Sequence, residues 1–500
     1  RLGDGFYEQK MVRDQLIELT GRAPASGESD DSRYKALLTS GVSFAQQFDL
    51  RPGIALTADQ ISHLTSDIVW METETVMLPD GTVEKVLVPK VYLAHAGSDA
   101  VKAGGALVTG AGVSIDTSEG IVNRGGVIDG GNGRTVLIAG QDIVNQGGAI
   151  KGGDVGLKAG RDVINQSLSV KQEYASVNTS GSYTSLSNQA SITATGALGI
   201  SAGRDVADTG GTIVAASAAI QAGRDIAFNT LQTGSAYVAD VNGNRQNDSS
   251  VTYKVGQIST TGDLSLKAGQ DIKLSGTQVN LGATGNGSML AGRDVAIAAV
   301  VDEVKTHQEN DPASKSYNKI IHEDQTVVGA TVAVGGNLAI KAGDAGAGGL
   351  AIAGSNIAAG GAVSLAASGD VSITQVQENH LSDVAEHRES KSTFKKSSDT
   401  TADYSSVSNV VGSNVSGGAV TVKSGNDIVV TGSQLTAQDA LTLNAGRDLL
   451  VSSAAQTGSE NHTAEHKKSG FSLDITEGVG YSKSQDNKSG RSDTVTQVGS

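Results

Sequence analysis

The tetrapeptide Ala-Gly-[Arg/Gln]-Asp occurs seven times in this chain: at Ala139–Asp142, Ala159–Asp162, Ala202–Asp205, Ala222–Asp225, Ala268–Asp271, Ala291–Asp294 and Ala445–Asp448. Weaker copies stand at Ala342-Gly343-Asp344, Ser368-Gly369-Asp370 and Ser424-Gly425-Asn426-Asp427. Several neighbouring copies lie one short repeat apart, 139 to 159, 202 to 222, 268 to 291 and 424 to 445. Self-similarity at a period of about twenty residues constrains a chain to a solenoid, because a single repeat cannot bury its apolar face alone.

The flanks of the tetrapeptide identify the kind of solenoid. In Asp263–Leu274, Leu264, Leu266 and Ala268 alternate with polar residues, and Ile272 and Leu274 resume the alternation after Gly269-Gln270-Asp271. The same grammar recurs at Val155, Leu157, Ala159 and Val163, and at Leu441, Leu443, Ala445, Leu449 and Val451. Period-two alternation in short runs predicts strands with one buried face. Glycine permits the corner, and aspartate can cap it through its side chain. A coil of about twenty residues holds two or three such strands, each stacking on its equivalent at about 4.8 Å. The expectation is an all-β, right-handed parallel β-helix over about residues 96–500, with roughly a dozen coils and a length on the order of 60 Å. Leu266, Ile272, Leu441 and Val451 are expected in its core.

Composition agrees with a narrow core filled by small and β-branched side chains. Glycine numbers 65 of 500 residues, proline 5, and aromatics are 3%. A net charge of −15 argues against a nucleic-acid partner, since phosphate contacts need a positive surface. Cysteine is absent, which suits a chain exported unfolded. No run of 18 apolar residues occurs, so no helical membrane span is expected. The chain opens on Arg1-Leu2-Gly3 and reads as an internal fragment of a larger polypeptide.

Five excursions interrupt the repeats, near 167–189, 229–256, 301–326, 375–407 and 455–493. The six histidines beyond residue 95, His307, His322, His380, His387, His462 and His466, all lie in them. So do nine of the ten aromatics there, Phe228 being the exception. Insertions in a solenoid map to surface loops, so the excursions are expected to be mobile, some of them pairing as protruding hairpins. Their aromatics, among them Tyr237, Tyr253, Tyr317 and Tyr404, are placed at hairpin tips where they can meet a membrane interface.

Residues 1–95 differ. Tyr7–Glu18 and Arg33–Phe48 carry helix-like apolar spacing, and Thr57-Ala58-Asp59-Gln60 opens a third short helix with an N-cap. Ile68–Leu78 and Thr82–Leu93 alternate around Pro79-Asp80-Gly81, a hairpin turn. The expectation is a small α+β segment covering the end of the first coil, because a β-helix end is a row of unpaired backbone groups.

These residues support a family resemblance. The alternating coils with Ala-Gly-[Arg/Gln]-Asp corners resemble the haemagglutinin repeats of filamentous haemagglutinins and of contact-dependent growth-inhibition effectors, both giant exoproteins of Gram-negative two-partner secretion. The inserts with His387…Lys391-Ser392 and His466-Lys467-Lys468-Ser469-Gly470 resemble those of that repeat. Leu2–Gln9 and Leu56-Thr57…Asp67-Ile68-Val69-Trp70 resemble the element preceding the second repeat region of the growth-inhibition effectors. The resemblance implies secretion through an outer-membrane two-partner secretion transporter and display on the surface of the producing cell. It implies a target-cell surface or outer membrane as partner. Delivery of a C-terminal toxin and adhesion by a haemagglutinin shaft both remain open.

Sites of chemistry fit this picture poorly. A β-helix lyase or hydrolase needs carboxylates, or a basic residue with Ca²⁺, gathered in one groove. Here Asp142, Asp162, Asp205, Asp225, Asp271, Asp294 and Asp448 are spread along the whole repeat region. They read as turn caps or as a ladder paired with the preceding arginine, with a Ca²⁺-binding ladder as the alternative, although the G-G-x-G-x-D frame is absent. His462 and His466 have the spacing of a helical metal pair but no third ligand, and His380 and His387 do no better. Gly110-Ala111-Gly112 and Gly285-Asn286-Gly287 read as corners, not phosphate loops. Trp70 reads as core. No catalytic, cofactor-binding or metal residue is assigned, and no enzyme activity is expected.

Overall fold

The computed structural model describes residues 5–20, 29–48, 50–56, 60, 64, 66–77, 83–92, 106–311, 314–474 and 478–499. The chain divides into two compact units, one comprising 1–107 with 125–127, the other 108–124 with 128–500. In the first unit, helices α1 (Gly5–Thr20) and α2 (Asp30–Phe48) accompany an antiparallel pair, β1 (Ile68–Met77) and β2 (Val83–Tyr92). The apolar stripes of the helices meet the strands in two clusters. Val12, Leu16 and Tyr34 pack with Val69 and Val91, and Phe44 packs with Leu56, Leu64, Ile68 and Trp70. Tyr34 donates to Glu8 across the helices at 2.7 Å. The Pro79-Asp80-Gly81 turn and all of the Thr57–Gln60 helix except Gln60 lie outside the described residues.

The second unit is a parallel β-helix. Among the described residues, three parallel sheets of eleven strands each run through it, so each of the eleven coils contributes one strand to each sheet. The register stacks inward residues of each strand on their equivalents in the next coil, forming columns. In the middle sheet the central column runs Leu137, Leu157, Ile200, Ile220, Leu266, Met289, Ile340, Leu365 and Val422, every member at most 3% exposed. Between the second and third strands of a coil lies the Ala-Gly-x-Asp corner. There glycine is required by close approach: a Cβ on Gly223 would sit 2.2 Å from the Gly203 carbonyl oxygen one coil back.

Leu266 and Ile272 are fully buried. Leu441 and Val451 are not: they are 46% and 53% exposed. Their phase is inward, because Leu441 pairs with buried Val420 and Val451 with buried Val430. They belong to the eleventh coil, and among the described residues no coil stacks on its far side.

From the second coil onward, the corner leading from the third sheet back to the first obeys a strict alternation. After the second, fourth, sixth, eighth and tenth coils it is a single tight glycine turn, at Gly147, Gly210, Gly276, Gly354 and Gly432, with φ between 52° and 59°. Such positive φ values favour glycine. Gly125, at φ 64°, makes the same turn after the first coil. After the third, fifth, seventh, ninth and eleventh coils the corner opens into a hairpin. The five hairpins are Leu168–Ala175 with Thr179–Asn188, Leu231–Val241 with Asn244–Lys254, Val300–Glu309 with Ser316–Val328, Val376–Lys391 with Lys395–Val411, and Ala454–Asp474 with Gly478–Val498. The tight turns tuck under neighbouring hairpins. A Cβ on Gly210 would meet Leu231 at 2.7 Å, and one on Gly432 would meet Ala454 at 2.6 Å.

These hairpins are not separate loops. Each pairs antiparallel with the next, through Thr179↔Ala239, Arg245↔Glu309, Ser316↔Arg388 and Lys395↔Gly470. The result is one continuous ten-stranded antiparallel sheet. The expectation of mobile excursions is therefore corrected: their backbone groups are satisfied by neighbouring hairpins distant in sequence. Of the four tyrosines expected at tips, Tyr317 stands beside the turn of the third hairpin, whereas Tyr237 lies within a strand, Tyr253 stands at a hairpin base beside Lys254, and Tyr404 lies mid-strand, opposite Asp383.

Two outcomes follow from this packing. Leu266→Asp should lower the denaturant midpoint markedly, since an unpaired buried charge costs several kcal/mol, roughly 3–5, whereas Leu441→Asp should change it little. Comparable midpoints for the two variants in urea titrations would show the inward column to be misplaced. Replacing residues 300–328 by a glycine turn copied from Ala353-Gly354-Ser355 should leave the circular dichroism of a β-helix intact. Limited proteolysis should then cut the second and fourth hairpins, whose edges lose their partners; resistance equal to the parent chain would contradict the paired sheet.

Candidate functional site

The Ala-Gly-Arg-Asp corners form a charged column on the outside of the β-helix. Each arginine reaches back to hydrogen-bond the aspartate of the preceding coil, not the aspartate beside it in its own tetrapeptide. Nε of Arg161, Arg204, Arg224, Arg293 and Arg447 donates to Oδ1 of Asp142, Asp162, Asp205, Asp271 and Asp427 at 3.1, 2.8, 2.8, 2.8 and 3.1 Å. A second guanidinium nitrogen takes Oδ2 in every case, giving the two-pronged geometry that arginine forms with a carboxylate. The same Oδ1 accepts the backbone N–H of the next coil's aspartate, as from Asp162 to Asp142 and from Asp225 to Asp205. Asp225 and Asp294 keep the backbone bond, from Asp271 and Gly349, without a bidentate arginine.

The arginine hydrogen bond holds Asp142, Asp162, Asp205, Asp271 and Asp427 below the usual carboxylate range. A depressed folded pKa contributes stability above the unfolded value of about 4, lost as pH falls below it. At neutral pH these five aspartates are ionised. Its arginines are about half exposed, so solvent screens each pair and the contribution per pair is small. With arginine filling both carboxylate oxygens in five coils, the column staples those coils to one another.

A second column runs inside the coils, and the repeat motif does not announce it. Asn123 donates to Asn145 at 2.8 Å, Asn145 to Asn165 at 2.7 Å, and Asn165 to Asp208 at 2.6 Å, all buried. A sequence signal exists: Ile121-Val122-Asn123, Ile143-Val144-Asn145 and Val163-Ile164-Asn165 each place asparagine at an inward phase. Asp208 ends the row because both its oxygens accept, Oδ1 from Asn165 and Oδ2 from the Gly211 N–H at 3.0 Å. An asparagine could satisfy only one of these donors. The next residue in the column is Phe228, and from there on it is apolar, with Leu274, Ile297 and Ile352.

Burial pushes the Asp208 carboxyl up to about 7, against the opposing pull of its two donors. A raised folded pKa means stability that is full below the unfolded value of about 4 and lost as pH rises through about 7. Between those values the folded state holds a proton that the unfolded state has released. Unfolding free energy should fall there by up to about 1.4 kcal/mol per pH unit, and level off above about pH 7. Denaturant titrations from pH 4.5 to 8.5 should show this decline in the parent and its loss in Asp208→Asn, whatever the baseline stability of the variant. An unchanged decline in the variant would exclude Asp208 as its source.

The hairpin sheet gathers the histidines. His380 lies 3.1 Å from Asp324, and His462 and His466 bond Asp403 and Asp399, each directly opposite on the neighbouring strand. His387 bonds Thr400 at 2.7 Å, and His307 lies 3.6 Å from Glu309. His462 and His466 thus face separate aspartates and do not converge. A shallow, open depression across the last hairpins brings together Asp403, Tyr404, Glu460, His462 and Arg491. Among the described residues no group of three metal-ligating side chains forms, and no helix is long and apolar enough to cross a membrane. Trp70 is buried, with its indole N–H on the Ile54 carbonyl at 2.8 Å. Gly285-Asn286-Gly287 forms a corner that opens a strand, and Gly110-Ala111-Gly112 likewise precedes a strand.

Comparison with known proteins agrees with this architecture. The family model described as hemagglutinin repeat matches residues 312–394 and 393–500. "Toxin CdiA" of Yersinia pestis is 32% identical over 527 aligned residues, covering 100% of this chain and 15% of that protein. "tRNA nuclease CdiA-2" of Burkholderia pseudomallei is 27% identical, covering 100% of this chain and 16% of that protein. "tRNA nuclease CdiA" of Escherichia coli (strain STEC_O31) is 27% identical, covering 96% and 15%. No solved structure matches the chain. The chain spans about 15% of the length of these curated relatives. With its corner columns, stacked coils and paired inserts, the chain belongs to the filamentous haemagglutinin and contact-dependent growth-inhibition family, as a haemagglutinin-repeat region.

Proposed function

We propose that this chain is a repeat region of a secreted two-partner secretion fibre that supports delivery of a C-terminal toxin into a neighbouring bacterium. One observation carries this: the likeness to proteins named as CdiA toxins and nucleases runs through the whole chain, residues before the repeats included. In this reading the chain performs no catalysis. Every coil is devoted to stacking, and the Arg–Asp and Asn–Asp columns bind the coils to one another. Its partners are the outer-membrane transporter that exports it and the surface or outer membrane of the target cell. Its place is outside the producing Gram-negative cell. The fold suits that route, since each coil contacts only its neighbours and can form progressively as the chain emerges.

Deleting residues 1–500 from the parent protein should leave surface display and target-cell attachment intact and abolish killing of susceptible neighbours. A drop in attachment itself would favour the shaft of a filamentous haemagglutinin adhesin instead. Cell-binding counts and competition assays on the same strain separate the two.

A further inference from the structure

The chain holds three Asn-Gly dipeptides, Asn132-Gly133, Asn242-Gly243 and Asn286-Gly287, and the fold treats them differently. Asn286-Gly287 is held at both the side chain and the following N–H. The Asn286 amide donates to Asp263 at 3.1 Å and its oxygen accepts the Asn337 N–H at 2.9 Å. The Gly287 N–H donates to the Asn337 carbonyl at 2.8 Å, and Gly287 opens a strand of the middle sheet. Asn132-Gly133 lies in a corner, where the Gly133 N–H donates to the Gly130 carbonyl at 2.9 Å. A Cβ on Gly133 would lie 1.9 Å from the Ala111 carbonyl oxygen, so this corner is pressed against the preceding coil.

Asn242-Gly243 is the two-residue turn of the second hairpin, between Val241 and Asn244, which pair across it. Asn242 has φ 53° and Gly243 φ 81°. A turn of this length needs left-handed backbone at both positions, and asparagine followed by glycine supplies it. Among the described residues Asn242 is the only non-glycine residue at positive φ, and it is exposed. Neither its side-chain amide nor the Gly243 N–H makes a hydrogen bond among the described residues. The turn is therefore free to swing without undoing a coil, and openings of this kind at an exposed tip cost little.

We propose that Asn242 is a site of covalent modification, its side-chain amide becoming a carboxylate by cyclisation onto the Gly243 nitrogen. Hydroxide removes the Gly243 N–H proton, and the nitrogen attacks Cγ of Asn242. The bond from Cγ to Nδ2 breaks, and the departing nitrogen takes a proton from water and leaves as ammonia. Water then opens the five-membered imide at one of its two carbonyls. Opening at the main-chain carbonyl yields isoaspartate, and opening at Cγ yields aspartate. The sum is asparagine plus water giving a carboxylic acid plus ammonia, with no change of oxidation state. Glycine leaves the attacking nitrogen unshielded, since it has no Cβ. The hydrogen bonds around Asn132-Gly133 and Asn286-Gly287 close the same route to those two sites in the folded chain. The new carboxylate would stand two residues from Asp240, whose partner Arg245 is 3.9 Å away. It would also face the turn of the third hairpin, where a Cβ on Gly243 would lie 3.1 Å from that of Asp311. Isoaspartate adds a methylene to the main chain of a turn that has room for two residues. Both changes loosen the outer end of the second hairpin, where Arg245 pairs with Glu309 of the third. This modification does not depend on the delivery reading.

The test is incubation of the folded 500-residue chain in mildly alkaline buffer made with heavy-oxygen water, beside a sample unfolded in urea. Peptide mass spectrometry then reads the label at each asparagine. In urea the three dipeptides should convert at similar rates. In the folded chain Asn242 should convert on the order of tenfold faster than Asn132 and Asn286, and faster still as pH rises. Limited proteolysis of the incubated parent should cut between Ala239 and Asn247 several-fold faster than that of the fresh parent. The variant Asn242→Gly keeps a residue suited to the turn, so it should fold with the parent's denaturant midpoint, and its cleavage there should not change on incubation. Equal rates at the three sites in the folded chain, or slower conversion at Asn242 than at either other site, overturn the assignment. Conversion of Asn242 with no change in cleavage overturns the loosening of the hairpin.

Discussion

The structure depends on a coincidence of two spacings. Stacked coils of a β-helix rise by one strand width, about 4.8 Å, and paired strands in an antiparallel sheet are separated by the same distance. A hairpin occupies two strand widths. A continuous hairpin sheet can therefore ride beside a β-helix only if one hairpin leaves every second coil. The alternation of hairpins with the tight turns at Gly147, Gly210, Gly276, Gly354 and Gly432 is that condition met. A hairpin on every coil would crowd two strands into one strand width. A hairpin on every third would leave edges unpaired and open to unwanted pairing.

Within that frame, two polar columns set register by different means. The outer Arg–Asp column works through charge-assisted bonds in solvent, weak singly but repeated, and it tolerates gaps such as Asp225 and Asp294. The inner Asn–Asp column is short and dry. Every amide in it must point the same way, because Asp208 can only accept while ionised and so requires Asn165 to donate. Beyond Phe228 that inner column is apolar, and polar links between the later coils come from the outer Arg293–Asp271 and Arg447–Asp427 pairs and from buried Ser355, Ser413 and Ser433.

How much of this is legible in the sequence follows from which residues alternate. The coil strands alternate cleanly, so Leu266 and Ile272 can be placed in the core from period two alone. Leu441 and Val451 carry the same pattern, and their exposure depends on what stacks beside them, which alternation does not report. The hairpin strands carry no clean alternation. Stretches such as Asp399–Tyr404 and Glu460–His466 are polar or charged on both faces and hold together through backbone pairing and cross-strand His–Asp contacts. Their pairing with hairpins distant in sequence leaves no hydrophobic trace, and so they look like loops. The inner asparagines are visible as polar residues at an inward phase, yet recognising a ladder requires knowing which coils stack. The arginine of each tetrapeptide sits beside an aspartate in sequence, which hides its true partner one coil earlier.

The two-coil rhythm also bears on how such a chain can change in length. Hairpins begin at Leu168, Leu231, Val300, Val376 and Ala454, and the two repeat matches overlap at residues 393 and 394, within the turn of the fourth hairpin. Gain or loss of a single coil would preserve the β-helix but shift every later hairpin by one strand width, parting the sheet at that point. Gain or loss of a coil pair, with its one hairpin and one glycine turn, would leave both lattices continuous. The heritable module of this architecture is therefore the pair, and duplications within its genes should be found in whole pairs even where the coil sequences themselves repeat at half that length.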